Sequence, residues 1–118
     1  MADVQPDLAV YKILTPDQHA RLQANGSFDG SPADKADGFI HFSRKNQIEG
    51  TLVRHYADHT DLQLLEVATA GLIDFMRWEE SLGGELFPHL YGNFAQDDVR
   101  REWVIRNVNG TWELPDDL

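Results

Sequence analysis

A chain of 118 residues with a net charge of −10 and no cysteine is long enough for one domain with its own core. Without cysteine there can be no disulfide, no thiolate metal site and no cysteine nucleophile. The acidity opposes binding to nucleic acid and to anionic membranes, and no membrane span or signal peptide is recognisable. We therefore expect a single cytoplasmic domain over residues 1–118, with an ordered core over about residues 8–114.

The first third of the chain alternates strand and helix patterns. Residues 8–14 are rich in strand-forming side chains. The Thr15-Pro16 pair predicts the start of a helix over residues 16–25, and Gly26 is placed to end it. Residues 27–37 predict a loop, because they contain glycine, proline and three aspartates.

The stretch DGFIHFS, at residues 37–43, is the first that suggests a functional site. Its residues 39–42 form a short apolar run that contains one titratable side chain, His41. Side chains alternate along a strand, so Phe39 and His41 share one face. Ser43 then stands at the N-cap position of a predicted helix over residues 44–56.

The second half of the chain predicts strands joined by tight connections. The stretch FPHLYG, at residues 87–92, has the same mixture of aromatic and histidine side chains as DGFIHFS, and we predict that the two stretches line one pocket. Short connections favour antiparallel neighbours, and only the early strand–helix–strand segment has room for a parallel pair. The predicted fold class is therefore α+β, a single small domain with about two helices and a mixed, mostly antiparallel sheet. The predicted strands lie at residues 62–67 (buried on both sides), 75–79, 102–108 and 111–114, the last two joined at Asn109-Gly110.

Seven polar side chains are candidates for the chemistry of this pocket. Histidine transfers protons near neutral pH, tyrosine offers a stacking face and a hydroxyl, and glutamate acts as a base or binds a hydroxyl. Each candidate also has a structural interpretation, such as an N-cap for Ser43, a helix surface for Gln47 and a constrained loop for His89. The predicted catalytic residues are His41, Glu79 and Tyr91, and the predicted ligand-binding residues are Ser43, Gln47, Thr51 and His89.

Metal binding is a further chemical alternative. His41, His89 and Glu79 form an acceptable ligand set, but no motif with metal-ligand spacing connects them, and no metal site is predicted. His55 and His59 have the spacing of paired ligands and are interpreted as surface residues, because the predicted helix ends between them.

DGFIHFS, Gln47, Trp78-Glu79 and FPHLYG together resemble the domain of unknown function 952 family, a family of small bacterial proteins, over about residues 10–99. The family name implies no activity. The resemblance also implies a fold related to ADP-ribosyltransferases, which have a split sheet and use NAD to modify a target.

Carried over by position, this relation implies that His41 binds a ribose hydroxyl, with Ser43 beside it, and that Tyr91 stacks on nicotinamide. Those enzymes place their catalytic glutamate after the aromatic residue. Glu79 precedes Tyr91 and Glu102 follows it, so both stay candidates.

Three functions stay open at this point. The first is an enzyme that binds NAD or a related nucleotide and transfers or hydrolyses at the ribose. The second is a non-catalytic module that binds a small metabolite, and the third is a metal-dependent hydrolase. A small-molecule ligand is expected in each case, and the sequence specifies neither its identity nor the oligomeric state.

Overall fold

The computed structural model describes residues 7–118, and its largest sheet has four antiparallel strands. The central part of this sheet is buried on both faces, as predicted for residues 62–67. The last two strands form the predicted hairpin, in which Asn109 and Gly110 have φ angles of 54° and 88°. In order across the sheet, the strands are β1 (Ala9–Leu14), β4 (Asp61–Ala68), β8 (Val99–Val108) and β9 (Thr111–Glu113).

A second sheet has three short antiparallel strands: β3 (Ile40–His41), β6 (Leu86–Leu90) and β5 (Met76–Glu80), with β6 in the middle. The prediction that His89 lies in a loop was wrong, because His89 belongs to β6 and pairs with His41 on β3. Proline has no N–H to donate, and Pro88 is tolerated there because β3 ends beside it. At this position the Phe42 N–H donates to the Pro88 carbonyl, at 3.0 Å.

A two-stranded ribbon completes the strands: β2 (Ser27–Phe28) pairs with β7 (Phe94–Ala95). The Phe28 and Phe94 rings are directly opposite each other in this pair, with centroids 5.6 Å apart. Both rings are buried, so the ribbon adds to the core rather than to the surface.

The first helix, α1 (Pro16–Asn25), has the predicted bounds. The Thr15 hydroxyl accepts a hydrogen bond from the Gln18 backbone N–H at 3.2 Å, and the Gln18 side chain accepts one from the Thr15 N–H at 3.1 Å. Gly26 ends the helix with a φ of 75°. Local capping signals therefore determine this helix.

The second helix, α2 (Pro32–Asp37), occupies residues predicted as a loop. The Ser31 hydroxyl accepts from the Asp34 N–H at 3.1 Å, and the Asp34 carboxylate accepts from the Ser31 N–H at 2.9 Å. Gly38 ends the helix with a φ of 86°. The loop prediction was wrong because a capping box with proline at the first helical position outweighs a composition rich in turn residues.

The third helix, α3 (Ile48–His55), follows one turn of 3₁₀-helix at Lys45–Gln47, where a single helix over residues 44–56 was predicted. Ser43 is not its N-cap. The Ser43 backbone instead exchanges two hydrogen bonds of 2.8 Å with the Tyr11 backbone on β1. The chain thus stays extended past β3 before the helix begins.

The four-stranded sheet separates two hydrophobic cores. Helix α3 packs on one face, and α1 and the three-stranded sheet pack on the other. Every strand pairing in residues 7–118 is antiparallel, so the early strand–helix–strand segment forms no parallel pair and the sheets are not mixed, while the α+β class is correct. None of the helices in these residues has the length and apolar character of a membrane span. Leu14, Leu65, Phe42 and Leu90 lie in the first core, and Ile13, Ile48, Leu52 and Leu64 lie in the second.

Candidate functional site

A cleft of about 540 Å³ opens where β1, β3 and β6 meet α2 and α3. His41 and His89 both lie on its wall. They are directly opposite each other in the β3–β6 pair, and their ring centroids are 5.7 Å apart. The structure thus brings DGFIHFS and FPHLYG together. Of the seven predicted site residues, His41, Ser43, Thr51 and His89 line the cleft, and Gln47, Glu79 and Tyr91 do not.

Two carboxylates face the two nitrogens of the His41 ring. Asp34 Oδ1 is 2.5 Å from Nδ1, and Asp37 Oδ2 is 2.8 Å from Nε2. Both contacts are hydrogen bonds only when both nitrogens carry a proton, as in the imidazolium form. In that form the Nε2 proton faces the half-exposed carboxylate of Asp37.

Asp34 is buried and accepts hydrogen bonds from several directions. Lys12 Nζ donates to Asp34 Oδ2 at 3.1 Å and to the His41 carbonyl at 2.9 Å, and the His41 N–H donates to Asp34 Oδ1 at 3.1 Å. Burial alone raises the pKa of Asp34, but the hydrogen bond from His41 and the charge of Lys12 outweigh it, and the pKa lies well below its usual range. Burial lowers the pKa of Lys12, opposed by the nearby Asp34 carboxylate.

Sequence reasoning missed Asp34, Asp37 and Lys12. The Ser31-Pro32-Ala33-Asp34 pattern was a detectable helix start, and it places Asp34 in the first turn of α2. No local signal connects Lys12 on β1 to that turn, because the contact depends on tertiary packing.

His89 is positioned by a different carboxylate. Glu79 Oε1 accepts from His89 Nδ1 at 2.8 Å and from the Tyr91 hydroxyl at 2.7 Å, and the His89 ring stacks on Phe39 with centroids 4.0 Å apart. These hydrogen bonds, from Tyr91 first and then His89, lower the pKa of Glu79, and the bond to Glu79 raises the pKa of Tyr91. With Nδ1 occupied, Nε2 is the nitrogen of His89 that is left for a ligand.

Glu79 and Tyr91 lie behind His89 rather than on the cleft wall. The Arg77 guanidinium lies 5.1 Å from the centroid of the Tyr91 ring, and Phe39 approaches the same ring at 5.3 Å. In this structure the Tyr91 ring therefore does not face the cleft. Both side chains act on the site through the orientation of His89.

Gln47 has a structural role. Its side-chain amide donates to the Leu86 carbonyl at 2.9 Å, and its side-chain oxygen accepts from the Arg44 N–H at 2.9 Å. These two bonds connect the start of the α3 region to β6 and leave the buried side chain with no group directed at the cleft.

Ser43 and Thr51 present hydroxyls to the cleft. The Thr51 hydroxyl donates to the Gln47 carbonyl at 3.0 Å, so the Ser43 hydroxyl is the donor in its own 3.0 Å bond to Thr51. The lone pairs of Ser43 then stay available to accept a hydrogen bond from a ligand.

Glu102, the second candidate for a catalytic glutamate, lies elsewhere. Its carboxylate is 2.6 Å from His19 Nε2 on α1 and accepts from the Gln96 side chain at 2.9 Å. It does not line the cleft.

The part of the chain that the structure describes contains no set of side chains arranged to bind a metal ion. No three histidine, aspartate or glutamate side chains there are arranged to bind one ion together. His89 and Tyr91 already occupy the Glu79 oxygen that faces them. The metal-dependent hydrolase hypothesis therefore has no set of ligands among residues 7–118.

A family profile described as "Protein of unknown function (DUF952)" matches residues 13–102. The chain belongs to this family. The crystal structure of protein CC0527 from Caulobacter crescentus is similar, with 36% identity, a TM-score of 0.86, and 92% of this chain and 96% of that chain covered. The solution NMR structure of the same protein has 36% identity, a TM-score of 0.77, and 87% and 89% coverage. No curated protein matched the chain at a significant level, and the relation to ADP-ribosyltransferases stays a prediction.

Proposed function

We propose that the cleft binds NAD or a related nucleotide, and that His41 and His89 act as acid and base in a transfer or hydrolysis reaction at the ribose. One observation carries this proposal: two histidines face each other across the β3–β6 pair on one cleft wall, each with Nδ1 bonded to a carboxylate. A carboxylate at Nδ1 fixes the orientation of an imidazole and leaves Nε2 for chemistry.

The surroundings of the two rings support different roles for them. His41 has a carboxylate at each ring nitrogen, and only a protonated nitrogen can donate to a carboxylate, so we assign His41 as the acid. His89 has one carboxylate, Glu79, so its neutral form donates from Nδ1 and keeps a lone pair on Nε2, and it is the base.

Proton movements follow from these roles. His89 Nε2 takes the proton of an attacking water or acceptor hydroxyl as the new bond to the ribose carbon forms. The bond from that carbon to the leaving group breaks at the same time. When the leaving atom departs with a negative charge, His41 Nε2 gives it a proton. When neutral nicotinamide leaves, no proton is transferred to it, and His41 Nε2 only donates a hydrogen bond to a ribose hydroxyl. Asp37 releases Nε2 for this step, because its side chain is 56% exposed and can turn into solvent.

The remaining cleft wall suits a small ligand with a ring and hydroxyls. Phe42, Tyr56 and Phe87 supply apolar surface, and Ser43 and Thr51 supply hydroxyls. The volume of about 540 Å³ lies within the range of small-molecule sites, roughly 300–1,000 Å³.

Calorimetric titration with NAD, ADP-ribose and AMP tests the proposal. Each of His41→Gln and His89→Gln removes one or more hydrogen bonds to the ligand and should weaken binding by roughly tenfold. His19→Gln is the matched control, because His19 does not line the cleft. If none of the three compounds binds at millimolar concentration, the nucleotide proposal is wrong.

A non-catalytic binding module is the second candidate, supported by the Asp37 contact that occupies Nε2 of His41. In that case NAD or ADP-ribose binds but is not consumed. Product analysis after prolonged incubation separates the two. Turnover that disappears in His89→Gln supports the enzyme, and binding without turnover supports the module.

A further inference from the structure

The charge of the cleft differs from that of the whole chain. The chain carries 20 acidic and 10 basic residues, yet four of its five histidines line this one cleft. The acidic residues on the wall are Asp34 and Asp37, and both already contact His41. The other titratable side chains on the wall are therefore cationic or neutral, with the cationic Arg54 among them.

Arg54 lies at the end of α3, with its guanidinium over the Phe87 ring at 5.8 Å from the ring centroid. The side chain extends back along the helix, and its Nη2 is 3.8 Å from where a Cβ at Gly50 would be. No salt bridge to Arg54 is formed within residues 7–118. Its donors are therefore free to bind an anion.

A cation in the last turn of a helix is common, because it interacts favourably with the helix dipole. That interaction explains a charge at the end of α3 but not its position on the wall of a cleft. His55, in the same turn, also lines the cleft, as does His59 just beyond the helix. Three side chains with N–H donors thus line a cleft whose acidic wall residues are Asp34 and Asp37.

This end of the cleft is close to the proposed acid and base. Phe87 and His89 are two residues apart on β6, so their side chains emerge on the same face about 7 Å apart. An anion bound over Phe87 therefore lies about 7 Å from the His89 side chain, on the same face of β6.

We propose that Arg54, with His55 beside it, binds a phosphate group of the ligand. This inference rests on the proposed function and makes it more specific, because it assigns the side chain that binds a phosphate of the nucleotide. A planar guanidinium offers parallel N–H donors that match two oxygens of a phosphate.

The test compares AMP with adenosine, since they differ by one phosphate. AMP should bind at least tenfold more tightly than adenosine, and added salt should reduce that difference. Arg54→Gln should bring the AMP-to-adenosine affinity ratio close to one, and Arg54→Lys should recover part of it. Arg21→Gln, an exposed arginine on α1 outside the cleft, removes the same charge and should leave the ratio unchanged.

The outcomes separate this inference from the proposed function. Equal affinity for AMP and adenosine, with no effect of Arg54→Gln, overturns the phosphate site and leaves the nucleotide cleft standing. If neither compound binds, and NAD and ADP-ribose do not bind either, the proposed function fails, and titration with pyrophosphate, followed by NMR, decides the phosphate site alone. Shifts that disappear in Arg54→Gln then support it, and no shifts overturn it.

Discussion

Two buried carboxylates in this protein satisfy their hydrogen bonds in different ways. Glu66 accepts from the Tyr11 hydroxyl at 2.8 Å and from two Arg101 nitrogens at 2.8 and 3.0 Å. The three residues are directly opposite each other on β1, β4 and β8, and neither Glu66 nor Arg101 lines the cleft. This group stabilises the pairing of three strands.

Asp34 receives its hydrogen bonds from separate elements of the fold. Lys12 comes from β1 and His41 from β3, and Asp34 itself lies in the first turn of α2. The Lys12 side chain is 5% exposed, whereas that of Arg101 is 40% exposed. The Asp34 carboxylate, at the junction of α2, β1 and β3, can thus position His41 on the cleft wall. Its buried partner Lys12, however, cannot be rehydrated when the carboxylate is removed.

The largest effect should follow from Asp34→Asn. The change leaves the Lys12 ammonium buried without its counter-charge, so the free energy of unfolding should fall by about 3–5 kcal/mol. Urea unfolding measures this loss. Asp37→Asn, a change at a half-exposed carboxylate in the same helix, should cost less than about 0.5 kcal/mol.

Replacing both Asp34 and Lys12 tests whether the unpaired buried charge causes the loss of stability. In the double variant Asp34→Asn, Lys12→Met, no buried charge is left over, so much of the stability should return. A double variant less stable than Asp34→Asn alone would contradict the assigned cause.

A smaller effect should follow from Glu66→Gln. The amide oxygen still accepts from Tyr11, and the exposed part of Arg101 stays hydrated and keeps its 2.7 Å bond to the Asp117 carbonyl. The expected loss is about 1–2 kcal/mol in the same urea measurement. If Glu66→Gln were as destabilising as Asp34→Asn, the difference in partner burial would not explain the two sites.

The smallest effect should appear only at high pH. Burial, with the hydrogen bond to Glu66, raises the pKa of Tyr11 to about 12. The unfolded chain loses this proton near pH 10 and the folded chain near pH 12, so the folded state binds more protons between these values and stability falls as pH rises. By pH 11 the loss should be about 1 kcal/mol.

Tyr11→Phe isolates this contribution. The variant lacks the titrating hydroxyl, so its stability should fall less than that of the wild type between pH 8 and pH 11, with both measured by thermal unfolding. Parallel pH profiles of the two proteins would show that Tyr11 does not titrate differently in the folded state.

Local signals in the sequence were sufficient for several elements. The cap at Thr15 and the Asn109-Gly110 turn determine α1 and the last hairpin through contacts within a few residues, so both were predicted. The α2 helix was not predicted because its six residues, largely proline, aspartate and alanine, follow a glycine and a serine and look like a loop. The capping box at Ser31 is the local signal that indicates a helix there.

The site was predictable in part. Two stretches with aromatic and histidine side chains were expected to meet, and His41 and His89 lie opposite each other in the structure. The roles of their neighbours were less predictable, because Lys12 and Asp34 reach His41 only through packing of distant segments. Tyr91 shows that residue type alone does not predict orientation, since this chemically suitable side chain does not line the cleft.

The two-residue length of β3 has a consequence for how the site behaves over time. Ile40 and His41 are the only residues that β3 contributes to its ladder with β6, whereas β4 pairs along its length on both sides. Short ladders open without global unfolding, so the Ile40 and Leu90 amides should exchange with deuterium sooner than those of β4. The histidines face each other only while this ladder is closed, so a ligand that needs both must select the closed state, and its measured affinity includes the free energy of closing.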